Sequence, residues 1–312
     1  MNAPAKVRAP RNRTITLSPE ERESYRARLL RPRVPLDAGE LEDRVILEDL
    51  FRIIPFLPEN FVDLLFIDPP YNLTKTYHSS TFRGRDDEAY GEWFESWFVP
   101  LLPVLKPNAS IYVCCDWRCS GVIHSILERY VQVRNRITWE REKGRGAARN
   151  WKNCSEDIWY CVSGDDFTFN LNEVKLKKRV IAPYTDRGGN PRDWREESKG
   201  RFRLTHPSNL WNDLTIPFWS MPENTDHPTQ KPEKLLARVL LASSQEGDLI
   251  FDPFLGSGTS AAAARKLNRR FVGIEREEEY ACLALKRIDM SERDKSIQGY
   301  RDGIFYERNC GL

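Results

Sequence analysis

LIFDPFLGSGTSAAAARKLNRRFVGIE, Leu249–Glu275, decides the fold. An apolar run of strand length reaches Asp252-Pro253-Phe254, glycines follow at 256 and 258, an Ala-rich helical stretch comes next, and a second apolar strand ends at Glu275. Glycine lets the backbone adopt turns closed to other residues, so a cofactor can come close at this strand-to-helix junction. Glu275 lies seventeen residues beyond Gly258, at a strand end where an acid accepts both hydroxyls of a ribose. By spacing alone the pattern also admits a nicotinamide dinucleotide, or glycines that serve only helix-to-strand packing. The residues around the turn tip the choice toward a cation. Asp252 brings a second carboxylate close, and Phe254 offers an apolar face to an adenine or a sulfonium methyl.

Outward from this unit the chain alternates. Downstream lies a helix at Glu277–Ile288, and upstream a helix at Pro232–Ser243 whose proline sits in the first turn, where a missing donor costs little. Far upstream, FVDLLFIDPPYN (Phe61–Asn72) runs a strand, Val62–Ile67, into Asp68-Pro69-Pro70-Tyr71. A strand and helix are expected over Arg44–Leu57, a polar loop over Thr74–Asp87, and an amphipathic helix over Tyr90–Leu105. A strand at Ser110–Cys115, a helix at Gly121–Tyr130 and a strand at Val131–Trp139 follow. Such alternation predicts an α/β fold, a doubly wound, Rossmann-like and mostly parallel sheet. It breaks over Glu140–Asn224, rich in Gly, Arg, Lys, Asn and Trp, which reads as an insertion. The organisation expected is a basic, partly disordered arm (1–43), one half of the catalytic domain (44–139), the insertion (140–224), the second half (225–290) and a polar tail (291–312).

Composition excludes several classes. With 40% hydrophobic and 30% charged residues among 312, the chain buries a full core as an ordinary globular protein. Its seven cysteines form no Cys-x-x-Cys pair and its four histidines no ligand cluster, which predicts reduced thiols and no metal site. No stretch approaches the roughly 18 apolar residues of a membrane span. A cytoplasmic protein is expected. Net charge is only +2, yet residues 1–34 hold nine Lys/Arg against three Glu, and residues 175–203 ten against four acids. Either run can face phosphate or simply be solvated.

The Asp68 turn suggests the chemistry. An exocyclic amine on a heteroaromatic ring is a poor nucleophile because its lone pair is delocalised. A carboxylate (Asp68) and a backbone carbonyl (Pro69) accepting its two hydrogens localise that pair for in-line attack, and Pro69 and Pro70 keep both acceptors rigid. Tyr71 would stack on the ring. An Asp-Pro turn that merely closes a strand is the bland alternative.

The chain resembles the β class of amino DNA methyltransferases, with the catalytic half first, the target-recognition insertion next and the cofactor half last. The resemblance spans about Arg44 to Ile288 and rests on IDPPYN, on HPTQKPEKLL from His227 to Leu236, and on FDPFLGSGT from Phe251 to Thr259. It implies S-adenosylmethionine as cofactor and Asp68, Pro69, Pro70 and Tyr71 as the catalytic turn. It also implies a cofactor pocket of Asp68, Asp252, Pro253, Phe254, Gly256, Ser257, Gly258, Thr259 and Glu275, with Thr229 and Lys231 reaching the methionine carboxylate and Asp49 near the adenine. DPPY with a leading Asp looks like the adenine-directed form, whereas cytosine-directed relatives usually lead with Ser. Cytosine N4 is the alternative substrate, and a nicotinamide-dependent oxidoreductase a distant one.

Double-stranded DNA is the partner expected. In the insertion, Arg141, Lys143, Arg145, Arg149 and Lys152 lie among Gly144, Gly146, Trp139 and Trp151, a composition suited to following phosphates. Asn150, Asn153, Arg192, Arg195 and Arg203 are candidates to read base edges. A restriction-modification setting with a cognate endonuclease, and a homodimer, are further expectations.

Overall fold

The computed structural model describes residues 9–77, 80–145, 148–181 and 184–308, with the backbone alone at 77, 80 and 142–145. Its centre is a sheet whose strands, in spatial order, are β1 (Arg44–Leu47), β13 (Arg270–Glu275), β12 (Leu249–Asp252), β2 (Val62–Ile67), β5 (Leu105–Cys115), β7 (Asn153–Val162), β6 (Gln132–Arg145) and β11 (Leu210–Trp211). All neighbours pair in parallel except β7, which runs antiparallel to both β5 and β6.

The alternation of side chains along these strands feeds two cores. Leu64 and Phe66 of β2 enter the one covered by α6 (Glu233–Ser243), α7 (Thr259–Lys266) and α8 (Glu278–Arg293). Leu65 and Ile67 enter the other, covered by α4 (Asp87–Leu101) and α5 (Ser120–Tyr130). A sheet covered on both faces needs apolar strands, which is why Leu64–Ile67 of β2 and Leu249–Phe251 of β12 read as unbroken hydrophobic runs. The doubly wound α/β architecture is therefore as expected.

Four regions differ from the sequence reading. Residues 9–43 are packed: α1 (Pro19–Arg26) opens with a Ser18/Glu21 capping box, α2 (Ala38–Leu41) buries Leu41, and Leu30 bridges to Ile46. The arm's arginines face α8, with Arg26 and Arg31 on Glu278 and Arg28 on Asp289. Arg22, Arg26, Arg28 and Arg31 thus spend their charge on acids of the protein itself; residues 1–8 lie outside the described ones.

The expected loop at 74–87 contains a hairpin, β3 (Lys75–Tyr77) and β4 (Ser80–Phe82). Asn72 clamps its base, its side chain donating to the Arg85 carbonyl at 2.8 Å and accepting from the Arg85 N–H at 2.7 Å.

The sheet does not stop at Glu140, because β6 continues to Arg145 and β7 returns through it; hydrophobic burial of Ile158, Tyr160 and Cys161 decides the matter. Finally, the tail is not loose. β14 (Tyr300–Arg301) and β15 (Ile304–Tyr306) join β8 (Leu176–Arg179), β9 (Arg195–Glu197) and β10 (Gly200–Thr205) in a second, five-stranded sheet. A helix of one turn, α3 (Leu50–Ile53), completes the described α-helices. None of the described helices is long and apolar enough to cross a membrane.

Candidate active site

Strands β2 and β12 are adjacent and parallel, Ile250 opposite Leu64 and Phe251 opposite Leu65, so the turns that follow them emerge side by side. From β2 the chain winds outward through β5 on one side, and β12, β13 and β1 occupy the other. Ligands of doubly wound folds bind in the crevice at such a reversal. A cleft of about 590 Å³ opens there, lined by both turns, by the 227–231 loop, by the β3–β4 hairpin and by the end of β13.

On one wall stands the Asp68 turn. The Tyr71 hydroxyl lies 3.0 Å from Asp68 Oδ1 and 2.9 Å from Glu156 Oε2. Lys231 Nζ is 2.6 Å from Asp68 Oδ2, 3.4 Å from Glu156 Oε2, and 5.3 Å from the centre of the Tyr71 ring. Burial raises the Asp68 pKa, against the pull of the ammonium. Burial works against the Lys231 charge, but Asp68 and Glu156 outweigh it and hold the ammonium protonated. Burial, then Asp68 and Glu156, push the Tyr71 phenol well up, so it stays a donor.

The other wall is the glycine turn. Glu275 accepts from the Gly256 N–H and the Glu277 N–H, both at 2.8 Å, and burial raises its pKa to about 7. Gly258 has φ +80°, and a Cβ there would stand 2.6 Å from Ala284 Cβ, so both conformation and packing demand glycine. Behind the turn Arg287 donates to the Ser257 carbonyl and to Thr259 Oγ1, and Thr259 donates to the Lys231 carbonyl, which ties this turn to the neighbouring loop. Phe254 packs edge-on against Trp97, ring centres 5.0 Å apart, and both face the cleft. His227 caps Gly256 and meets Tyr280 edge-on at 4.5 Å; burial, with Lys231 nearby, lowers its pKa to about 3, so the imidazole is neutral.

A donor-and-acceptor turn for an amine thus faces a glycine turn that admits a cofactor. The N6/N4 DNA methylase family matches residues 62–286, which contain both turns and the sheet between them. The chain belongs to that family. This DNA methylase is 32% identical to the type II methyltransferase M.HpaI of Haemophilus parainfluenzae over 80% of its own length and 75% of that protein's. It is 30% identical to the DNA adenine methyltransferase YhdJ of Escherichia coli K12, over 82% and 86% respectively. Among solved structures, the complex of M1.HpyAVI with SAM superposes with a TM-score of 0.54 at 24% identity, covering 78% of the methylase and 98% of that chain. The cytosine-N4-specific PvuII methyltransferase superposes with 0.57 at 17%, over 78% and 85%. These likenesses confirm the fold.

The methylase brings most of its sequence-predicted site residues together. Asp49, Asp68, Pro69, Pro70, Tyr71, Thr229, Lys231, Pro253, Phe254, Gly256 and Glu275 all line the cleft. Asp252, Ser257, Gly258 and Thr259 do not. Asp252 is buried beneath the turn, its oxygens taken by the Phe254 N–H at 3.0 Å and the Ser260 hydroxyl, and burial lifts its pKa to about 7. It braces the backbone instead of meeting a ligand. Asp49 spends one oxygen capping α3 through the Phe51 N–H.

Of the proposed DNA contacts, Arg141 is corrected: it points back at the buried Glu156, 2.9 Å away. Arg149, Asn150 and Lys152 are exposed where β6 turns into β7, at the same sheet edge as the cleft, because β6 runs in the direction of β2 and β5. Arg192 and Arg195 are exposed at the second sheet. The side chains of Lys143 and Arg145 lie outside the described residues.

Sequence reasoning missed Glu156, Arg287 and the hairpin residues Phe82, Arg83 and Arg85 that line the cleft. Glu156 had one signal: an acid inside an apolar strand, SEDIWYCV, demands a partner.

Proposed function

We propose that this methylase transfers the methyl group of S-adenosylmethionine to the N6 amine of an adenine extruded from double-stranded DNA. One observation carries the reading: the Asp68-Pro69-Pro70-Tyr71 turn and the Gly256–Gly258 turn emerge from neighbouring strands into a single cleft. Along the glycine turn, Glu275 would hold the ribose hydroxyls of S-adenosylmethionine and Phe254 would meet its adenine. The sulfonium supplies the methyl group. Thr229 lies on the side for the methionine carboxylate and Asp49 on the adenine side, while the Lys231 ammonium is taken up by Asp68 and Glu156. The extruded base stacks on Tyr71, with its amine hydrogens on Asp68 and on the Pro69 carbonyl. Holding nucleophile and electrophile in line supplies much of the rate. The leading Asp of the turn supports adenine over cytosine, and the name of YhdJ agrees with it.

The order of parts is that of the β class, with target recognition between the two halves of the catalytic domain. Arg149, Asn150 and Lys152, projecting from the cleft edge, are the nearest candidates to touch the duplex, with Arg192 and Arg195 on the second sheet reaching a more distant stretch. M.HpaI and M.BglII, a 29% identical methyltransferase from Bacillus subtilis, carry type II names. A modification role beside a cognate endonuclease follows from that, in a cytoplasmic, nucleoid-associated enzyme acting alone or as a homodimer.

The test is incubation with labelled S-adenosylmethionine and methylation-free bacterial genomic DNA, followed by base-resolved sequencing. N6-methyladenine in a short, fixed context is expected. N4-methylcytosine instead overturns the assignment of the base, and no transfer overturns the reading.

A further inference from the structure

Both oxygens of Asp68 are engaged. Oδ1 receives the Tyr71 hydroxyl and Oδ2 the Lys231 ammonium, at 3.0 and 2.6 Å. An oxygen held that closely by a full positive charge is a weak acceptor for a neutral amine, since its electron density is already committed. Both donors also lie within reach of one other carboxylate oxygen. Glu156 Oε2 is 2.9 Å from the hydroxyl and 3.4 Å from the ammonium. A phenol has one proton, so Tyr71 serves one carboxylate at a time. Glu156 is also fixed in place: its strand pairs with β6, Trp139 opposite Glu156, and Arg141 holds its Oε1 at 2.9 Å. An ammonium buried this deeply cannot leave Asp68 without a second anion to receive it, because an uncompensated buried charge is strongly unfavourable.

We propose that Glu156 is a positioning residue that takes Lys231 and Tyr71 over from Asp68, leaving Asp68 free to accept an amine hydrogen while the buried ammonium stays paired. Asp68 and Glu156 thus exchange the same two donors between the resting and the substrate-bound site. This inference rests on the methyl-transfer reading above.

The experiment is a double-mutant cycle on single-turnover methyl transfer to methylation-free genomic DNA, using wild type, E156Q, K231M and K231M/E156Q, with S-adenosylmethionine affinity measured by calorimetry. E156Q is expected to slow transfer about 10- to 100-fold, the worth of a charge-assisted contact to a buried cation, without weakening cofactor binding. In the K231M background the same change is expected to cost less than about threefold, because no ammonium remains to mask Asp68. Equal penalties in both backgrounds overturn the exchange and leave Glu156 a merely structural acid. If E156Q does not fold, Glu156→Asp gives the same cycle with a smaller penalty. A crystal of the wild type with cofactor and duplex supplies a readout without turnover: Lys231 Nζ nearer Glu156 supports the exchange, and Nζ still on Asp68 overturns it. A wild type that transfers no methyl group overturns the proposed function and this inference with it.

Discussion

Two Asp-Pro turns end neighbouring strands, and their aspartates have opposite fates. Asp68 faces the cleft and meets a phenol, an ammonium and, through them, a second acid. Asp252 points back into the turn and meets a backbone N–H and the hydroxyl of Ser260. The residues that follow make the difference. After Asp68 two rigid prolines follow and the carboxylate lines the cleft, whereas after Asp252 the glycines fold the backbone over it and the first turn of α7 presents Ser260. A strand-end acid is therefore a ligand group only when the following turn leaves it uncovered.

That contrast can be broken most decisively at the acids themselves. Asp68→Ala is expected to cut single-turnover methyl transfer by at least about 100-fold, about 2.7 kcal/mol, with little change in melting temperature. A loss under about tenfold would remove Asp68 from the centre of the chemistry. Asp252→Ala is expected to do the reverse. It strands the Phe254 N–H and the Ser260 hydroxyl in the interior, which costs about 2–3 kcal/mol of stability on chemical denaturation, while the folded fraction keeps its rate.

Gly258→Ala probes the fold-over that hides Asp252. The new methyl group would meet Ala284 at 2.6 Å from a left-handed backbone, and a loss of about 2–3 kcal/mol in denaturant titration is expected. Were it neutral, the turn would be soft and its cover over Asp252 incidental.

The buried acids also set a pH dependence. Asp252 and Glu275 titrate near 7 in the folded protein, raised by burial from 3.8 and 4.5. The folded state therefore keeps these protons after the unfolded chain has released them, and their contribution to stability falls as pH climbs from about 4 to about 7. The ligand-free melting temperature is expected to decline across that window. A cofactor whose ribose hydroxyls are donated to Glu275 favours the ionised form of that acid and releases a proton on binding, so its affinity should rise between pH 6 and 8. Affinity flat with pH by calorimetry in buffers of different ionisation enthalpy would mean that Glu275 does not sense the ligand.

The smallest effect is expected where a charge pair is partly exposed on the surface. Arg31→Ala on the surface pair with Glu278 should change stability by less than about 1 kcal/mol and leave the salt dependence of DNA binding untouched. Arg149→Ala, at the cleft edge, should lower that slope by about one unit. An effect at Arg31 would return the N-terminal segment to the list of phosphate contacts.

Much of this molecule is legible in its sequence because local chemistry fixes it. Unbroken apolar runs of strand length, Asp-Pro-Pro-Tyr, Gly256 and Gly258 each specify a backbone shape through short-range sterics, and their order specifies the α/β alternation. Three matters belong to the tertiary structure alone. That β7 inserts antiparallel between β5 and β6, bringing Glu156 to the Tyr71 hydroxyl, depends on a contact between residues 85 apart along the chain. That the basic N-terminal segment folds against α8 depends on acids at the far end of the chain. That Lys231 reaches Asp68 depends on a pairing across 163 residues. Burial and long-range charge pairing are properties of packed surfaces, and a linear sequence encodes them only through the fold that brings those surfaces together.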